Sequence, residues 1–79
     1  MNIKILGTGC SKCHALEKTV KEVVADLKID ATVEKVEDMK KILEYSILAT
    51  PGLVINEKVI SAGKVLNKKE VATLIDKAT

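Results

Sequence analysis

The sequence predicts an α/β fold of order β-α-β-α-β-β-α, a four-stranded mixed sheet with helices on both faces. Three observations carry this expectation. Short β-branched runs alternate with segments whose apolar residues recur every three or four positions. The breaks between them hold Gly, Asn, Asp or the single proline. The last break carries a helix-start signature, so the chain closes on a helix. At 79 residues and 8.6 kDa there is room for one such domain, residues 1–79.

The first element is Ile3 to Leu6, an aliphatic run stopped by Gly7-Thr8-Gly9, which reads as a buried strand feeding a turn. From Ser11 to about Lys28 the apolar positions are Cys13, Leu16, Val20, Val23, Val24 and Leu27, one face of an amphipathic helix. Glu17 and Lys21 support its wet side as an i,i+4 pair. Ala31 to Val36 is rich in β-branched residues and reads as the second strand. Asp38 then suits an N-cap, and Met39, Ile42, Leu43 and Ser46 line one side of a short helix.

Pro51 stands at the entrance to Leu53-Val54-Ile55, where it opens a strand without removing an interior ladder bond. Asn56-Glu57 joins this strand to Lys58–Ser61 as a two-residue hairpin connection. After Gly63, Asn67 with Glu70 three residues on forms an Asn-headed capping box, and Leu66 with Val71 forms the hydrophobic staple around it. Val71, Leu74, Ile75 and Ala78 continue an apolar face. Right-handed crossover makes the first two strands parallel neighbours and places the turn after the first strand at a carboxyl edge of the sheet.

Composition narrows the function. Thirteen lysines and no arginine against eleven acids leave +2, spread along the chain, and Tyr45 is the only aromatic. Nucleic acid is an unsuitable partner, because phosphate tracking needs clustered cations and single-strand binding needs stacking rings. No apolar run approaches the roughly 20 residues that cross a bilayer, so no membrane partner is expected. With no small-residue cleavage site after the N-terminal apolar stretch, the expectation is a cytoplasmic protein that begins at its true start.

Cys10-Ser11-Lys12-Cys13 lies between a strand and the first turn of a helix, where unpaired N–H groups and the helix dipole favour a thiolate. In a reducing compartment such a close pair points to chemistry or metal rather than a structural staple. The more exposed Cys10 is the expected attacking thiolate, with Lys12 and His14 the candidates for tuning it. Cys13, on the apolar face, is the expected second sulfur that resolves a mixed disulfide.

Other chemistries use the same residues. Cys10 to His14 also matches the CxxCH pattern of haem attachment, although Met39 is the only thioether besides Met1 and no aromatic wrapping is at hand. The pair could hold zinc or copper, as in a soft-metal chaperone; those domains run β-α-β-β-α-β and finish on a strand. A non-catalytic interaction domain is a further reading.

With Cys10-Ser11-Lys12-Cys13 after the first strand, Thr50-Pro51 before the third and Gly63 ahead of the last helix, nearly the whole chain resembles the thioredoxin superfamily. The likeness is to its small thioredoxin- or glutaredoxin-like redox-disulfide proteins. The resemblance implies a thioredoxin-like three-layer fold and a thiol–disulfide oxidoreductase acting on protein or small-molecule disulfides. It also implies a cis Pro51, and a Thr50 whose backbone meets an extended substrate. It calls for no bound cofactor and no metal, since the electrons reside in the dithiol, but for a separate recycling reductase; a monomer is expected. The chain departs from thioredoxins proper in having Gly9 before Cys10, Ser-Lys between the cysteines and Lys4 but no acid on the first strand. Ser61-Ala62-Gly63-Lys64 matches the glutathione site of glutaredoxins only loosely.

Overall fold

The computed structural model describes residues 1–9, 11–47 and 49–78. Its elements are β1 (Asn2–Leu6), α1 (Ser11–Leu27), β2 (Thr32–Val36), α2 (Met39–Glu44), β3 (Gly52–Ile55), β4 (Lys58–Ala62) and α3 (Lys68–Ala78). The sheet order is β2-β1-β3-β4. β1 runs parallel to β2 and antiparallel to β3, and β3 and β4 form an antiparallel hairpin. The element order is the one expected, and it ends on a helix rather than on the strand that closes a soft-metal chaperone.

Alternation along the strands divides the core into two layers. Ile3 and Ile5 of β1, with Leu53 and Ile55 of β3, pack against Leu16 and Val20 of α1 and Val71 and Ile75 of α3. On the other face Leu6 and Val54 meet Val36, Ile42 and Ile47 beneath α2. Thus α1 and α3 cover one side of the sheet and α2 alone covers the other.

Leu27, expected on the apolar face of α1, is 47% exposed. Seventeen residues of helix span about 25 Å, whereas a five-residue strand spans roughly 17 Å, so the last turn overhangs the sheet. The helix then closes with Lys28 in the left-handed region at φ 53. Lys28 N–H donates to the Ala25 carbonyl and Ile29 N–H to that of Val24, the paired bonds of a Schellman ending. Glycine is the residue that takes this conformation without strain, so Lys28→Gly should raise stability by about 1 kcal/mol, read as a higher urea midpoint at unchanged slope.

On α2, Ile42 is buried, but Met39 and Leu43 are 53% and 62% exposed, so the expected apolar side does not form. At 100° per residue, Met39 stands about 60° and Leu43 about 100° round the helix from Ile42, the residue turned to the sheet. Ser46 lies beyond the helix at φ 58. Asp38 does cap it, its carboxylate accepting the Lys40 N–H at 3.0 Å. The α3 box closes in both directions: Asn67 Oδ1 accepts the Glu70 N–H at 2.8 Å, and Glu70 Oε1 accepts the Asn67 N–H at 3.2 Å.

Lys68 ties α3 to α1, its Nζ standing 2.7 Å from Glu22 and 3.8 Å from Asp26. The Lys68 hydrogen bond holds the Glu22 carboxyl below its ordinary value of 4.5, and the Lys68 ammonium is held above 10.5 chiefly by the same bond. A lowered carboxyl pKa stabilises the fold above the unfolded value and loses that contribution as pH falls through the folded one. A raised amine pKa contributes below 10.5 and is lost as pH rises through the folded value. Glu22→Gln should therefore flatten the acid limb: its urea midpoint should fall less than that of the wild type between about pH 6 and about pH 3. An unchanged acid limb would count against the pair.

Candidate active site

β1 delivers the chain to the cysteine segment through Gly7, whose N–H donates to the Val36 carbonyl at 2.9 Å. A Cβ at Gly7 would overlap Cys13 Sγ and lie 2.9 Å from Cys13 Cβ. The missing side chain is what lets α1 bring its first turn down onto the strand end. Gly9, at φ +88, turns the chain towards α1.

Cys13 occupies that first turn, is 2% exposed and is disulfide-bonded. Cys10, the expected attacking residue, lies outside the described residues. The first turn of α1 carries no carboxylate, so its unpaired N–H groups meet no competing anion within the helix. Glu37 approaches the preceding loop, its Oε2 3.5 Å from where a Gly9 Cβ would stand. Lys35 offsets it, 3.5 Å from Glu37 and 3.9 Å from Glu17 on α1.

The register of β1 with β3 pairs Leu6 with Gly52, and one further step sets Pro51 across from Gly7, the residue against Cys13. The Thr50–Pro51 peptide bond is cis. Pro51 is buried and Thr50 half-buried beside it. The Pro51 carbonyl accepts the Gly63 N–H at 2.8 Å. Gly63 holds φ +77 and faces Ala49, whose Cβ is 3.0 Å from where a Gly63 Cβ would stand. Cys13, Pro51 and Gly63 thus gather at one end of the sheet, although they are far apart in sequence.

Lys12 and His14 are exposed on the outer side of the first turn of α1. His14 turns towards Glu17, with Nδ1 4.0 Å from its carboxylate. Tyr45 caps the C-terminus of α2 as a packing residue and also donates to Glu57 at 3.2 Å. Lys4 completes that cluster, 2.7 Å from Glu57 and 3.2 Å from the Tyr45 hydroxyl. The hydrogen bond to Glu57 is the main reason that the Lys4 ammonium is held well above its ordinary value, and Lys4 in turn lowers Glu57. The cluster sits at the hairpin end of the sheet, where Asn56 and Glu57 both take positive φ. Lys4 therefore anchors the turn, away from the end where Cys13 meets Gly7.

Sequence reasoning missed Gly7 and the Lys4–Tyr45–Glu57 cluster. A glycine directly after a strand and six residues before a helical cysteine was the available signal for the first. The second had none, since it depends on strand register. Among the described residues no group of three or more His, Cys, Asp or Glu side chains is placed to hold a metal ion.

The fold and the residues gathered at this end of the sheet define a thiol–disulfide oxidoreductase, and the comparisons with known proteins agree. The chain belongs to the Thioredoxin domain family, which it matches over residues 1–76. It is 41% identical over 75 residues to a thioredoxin of Methanothermobacter thermautotrophicus, covering 95% of this chain and 97% of that protein. A thioredoxin of Methanocaldococcus jannaschii is 38% identical over 69 residues, covering 87% and 79% respectively. In fold, the chain is similar to thioredoxin 1 from Thermosipho africanus, with a TM-score of 0.67 at 22% identity over 99% of this chain and 93% of that one.

Proposed function

We propose that Cys10 and Cys13 are the working dithiol of this oxidoreductase. The Cys10 thiolate attacks one sulfur of a substrate disulfide, forming a mixed disulfide and expelling the first substrate thiolate. The Cys13 thiolate then attacks the Cys10 sulfur, closing the Cys10–Cys13 disulfide and releasing the second. Two electrons pass to the substrate, and a separate reductase returns them. The observation that supports these roles is the burial of Cys13 in the first turn of α1, against Gly7. A buried sulfur cannot readily meet a bulky substrate but can act on a bond made by a cysteine three residues earlier in the sequence.

Pro51 and the backbone of Thr50 receive an extended substrate chain beside the dithiol, while Lys12 and His14, both exposed on that turn, tune the thiolate. The protein works as a monomer in the reducing cytoplasm on protein or small-molecule disulfides, without nucleic acid or membrane partners; among the described residues no helix is long and apolar enough to cross a membrane.

A redox titration of metal-free protein in graded dithiol buffers tests the proposal. One cooperative two-thiol transition is expected between about −300 and −120 mV, counted by alkylation and mass. Failure to form a reversible disulfide, with tight stoichiometric uptake of copper or zinc by the reduced protein, would overturn it in favour of a metal carrier.

A further inference from the structure

A groove of about 410 Å3 opens between the edge strand β4 and the start of α3, lined by Ile60, Leu66 and Leu74 with Lys64 and Lys69 at its rim. Two features connect it to the disulfide chemistry. Lys64 follows Gly63, whose N–H is bonded to the Pro51 carbonyl, so the groove begins where the cis-proline loop ends. Its rim also carries two ammonium groups. Among the described residues Lys64 and Lys69, like seven other lysines of the chain, have no ion-pair partner, whereas Lys4, Lys21, Lys35 and Lys68 each have a carboxylate within 4.0 Å. Glu70, the one acid in the lining, has its carboxylate turned back to the Asn67 N–H.

We propose that this groove holds the stretch of a disulfide-bearing protein that flanks its reacting cysteine, and that it selects an apolar side chain with carboxylates beside it. The inference rests on the reading that Thr50–Pro51 faces the substrate. A chain passing the proline reaches Lys64 within a few residues at about 3.3 Å per residue. There, Ile60, Leu66 and Leu74 bury one apolar side chain, and the two ammonium groups attract the adjacent acids. Complementary charge at such a rim acts mainly on encounter rate and discrimination. The partner class is therefore an acidic protein segment containing a disulfide.

Nonapeptides with a central cysteine, activated as its thionitrobenzoate mixed disulfide and flanked on both sides by alternating Leu and Glu, Leu and Lys, or Ser and Glu, supply the test. The second-order rate of thionitrobenzoate release by reduced protein is read at low and high salt. The Leu/Glu peptide should react at least about fivefold faster than either of the others, and its lead over Leu/Lys should shrink as salt screens the charges. Lys64→Glu with Lys69→Glu should reverse the Glu-over-Lys preference. The Lys69 change places an acid in the first turn of α3, where the helix dipole tolerates it. Lys18→Glu with Lys28→Glu, the same change in net charge away from the groove, should keep the preference. Equal rates for the three peptides in the wild type, or equal effects of the two double variants, would overturn the inference. Reduction of the small, uncharged hydroxyethyl disulfide is read in parallel. If it proceeds while the peptides are not distinguished, only the groove inference falls; if neither reaction occurs, the oxidoreductase assignment of the dithiol falls with it.

Discussion

Cys10→Ser should reduce disulfide reductase activity to the background rate of uncatalysed exchange, whereas Cys13→Ser should retain the first step and accumulate mixed disulfides with substrate. The asymmetry follows from placement. The sulfur at position 13 is buried in the first turn of α1, so it acts only on a bond already made beside it, and removing it leaves that bond unresolved. In the reverse variant only the buried sulfur of Cys13 remains to make the bond. Mass spectrometry of the protein after one turnover with a cysteine-containing peptide distinguishes the two outcomes. Alkylation of the reduced wild type against pH should show one cysteine titrating below the free-thiol value of about 8.5, as expected for a thiolate at a helix start without a first-turn carboxylate. Equal, mild effects of the two substitutions would reject the assigned order of attack.

Gly7→Ala is expected to impair the second step specifically. The added methyl would occupy the space of Cys13 Sγ, so either the sulfur moves or α1 lifts from β1. Gly7 does not take positive φ, so the clash rather than the backbone carries the effect. Overpacking a filled site costs about 1–3 kcal/mol, but lost stability alone would not slow resolution. Ile75→Val, a core change remote from the cysteines costing about 0.5–1.5 kcal/mol, provides the comparison. Gly7→Ala should accumulate mixed disulfide during turnover, whereas Ile75→Val should lower the denaturation midpoint without it. A Gly7→Ala protein that resolves mixed disulfides at the wild-type rate would show that the close approach of Gly7 and Cys13 is unimportant to catalysis.

Much of this protein was legible in its sequence because the signals were local. Asn67 and Glu70 cap α3 as their spacing required. Asp38 caps α2, and the β-branched runs became strands within a residue or two of their expected ends. The placing of Cys13 in the first turn of a helix after a strand was equally visible, since the helical period and the preceding strand are properties of neighbours along the chain. Local periodicity misled where an element was shorter than its pattern or longer than its support. Met39 and Leu43 are exposed because α2 turns Ile42 rather than their side to the sheet, and Leu27 is exposed because α1 outruns the sheet.

Only the tertiary structure decided what non-local register controls. The pairing of Leu6 with Gly52 brings Pro51 across from Gly7 and so to the buried sulfur. The positive φ of Gly63, with its N–H on the Pro51 carbonyl, leads that loop into the lysine-rimmed groove. Lys4 finds Glu57 and Tyr45 through the same strand pairing. A sequence records its caps and periods residue by residue. Contacts between residues a dozen or more positions apart depend on how strands are paired and on which side chain is absent to let two backbones approach, and these arise only when the sheet closes.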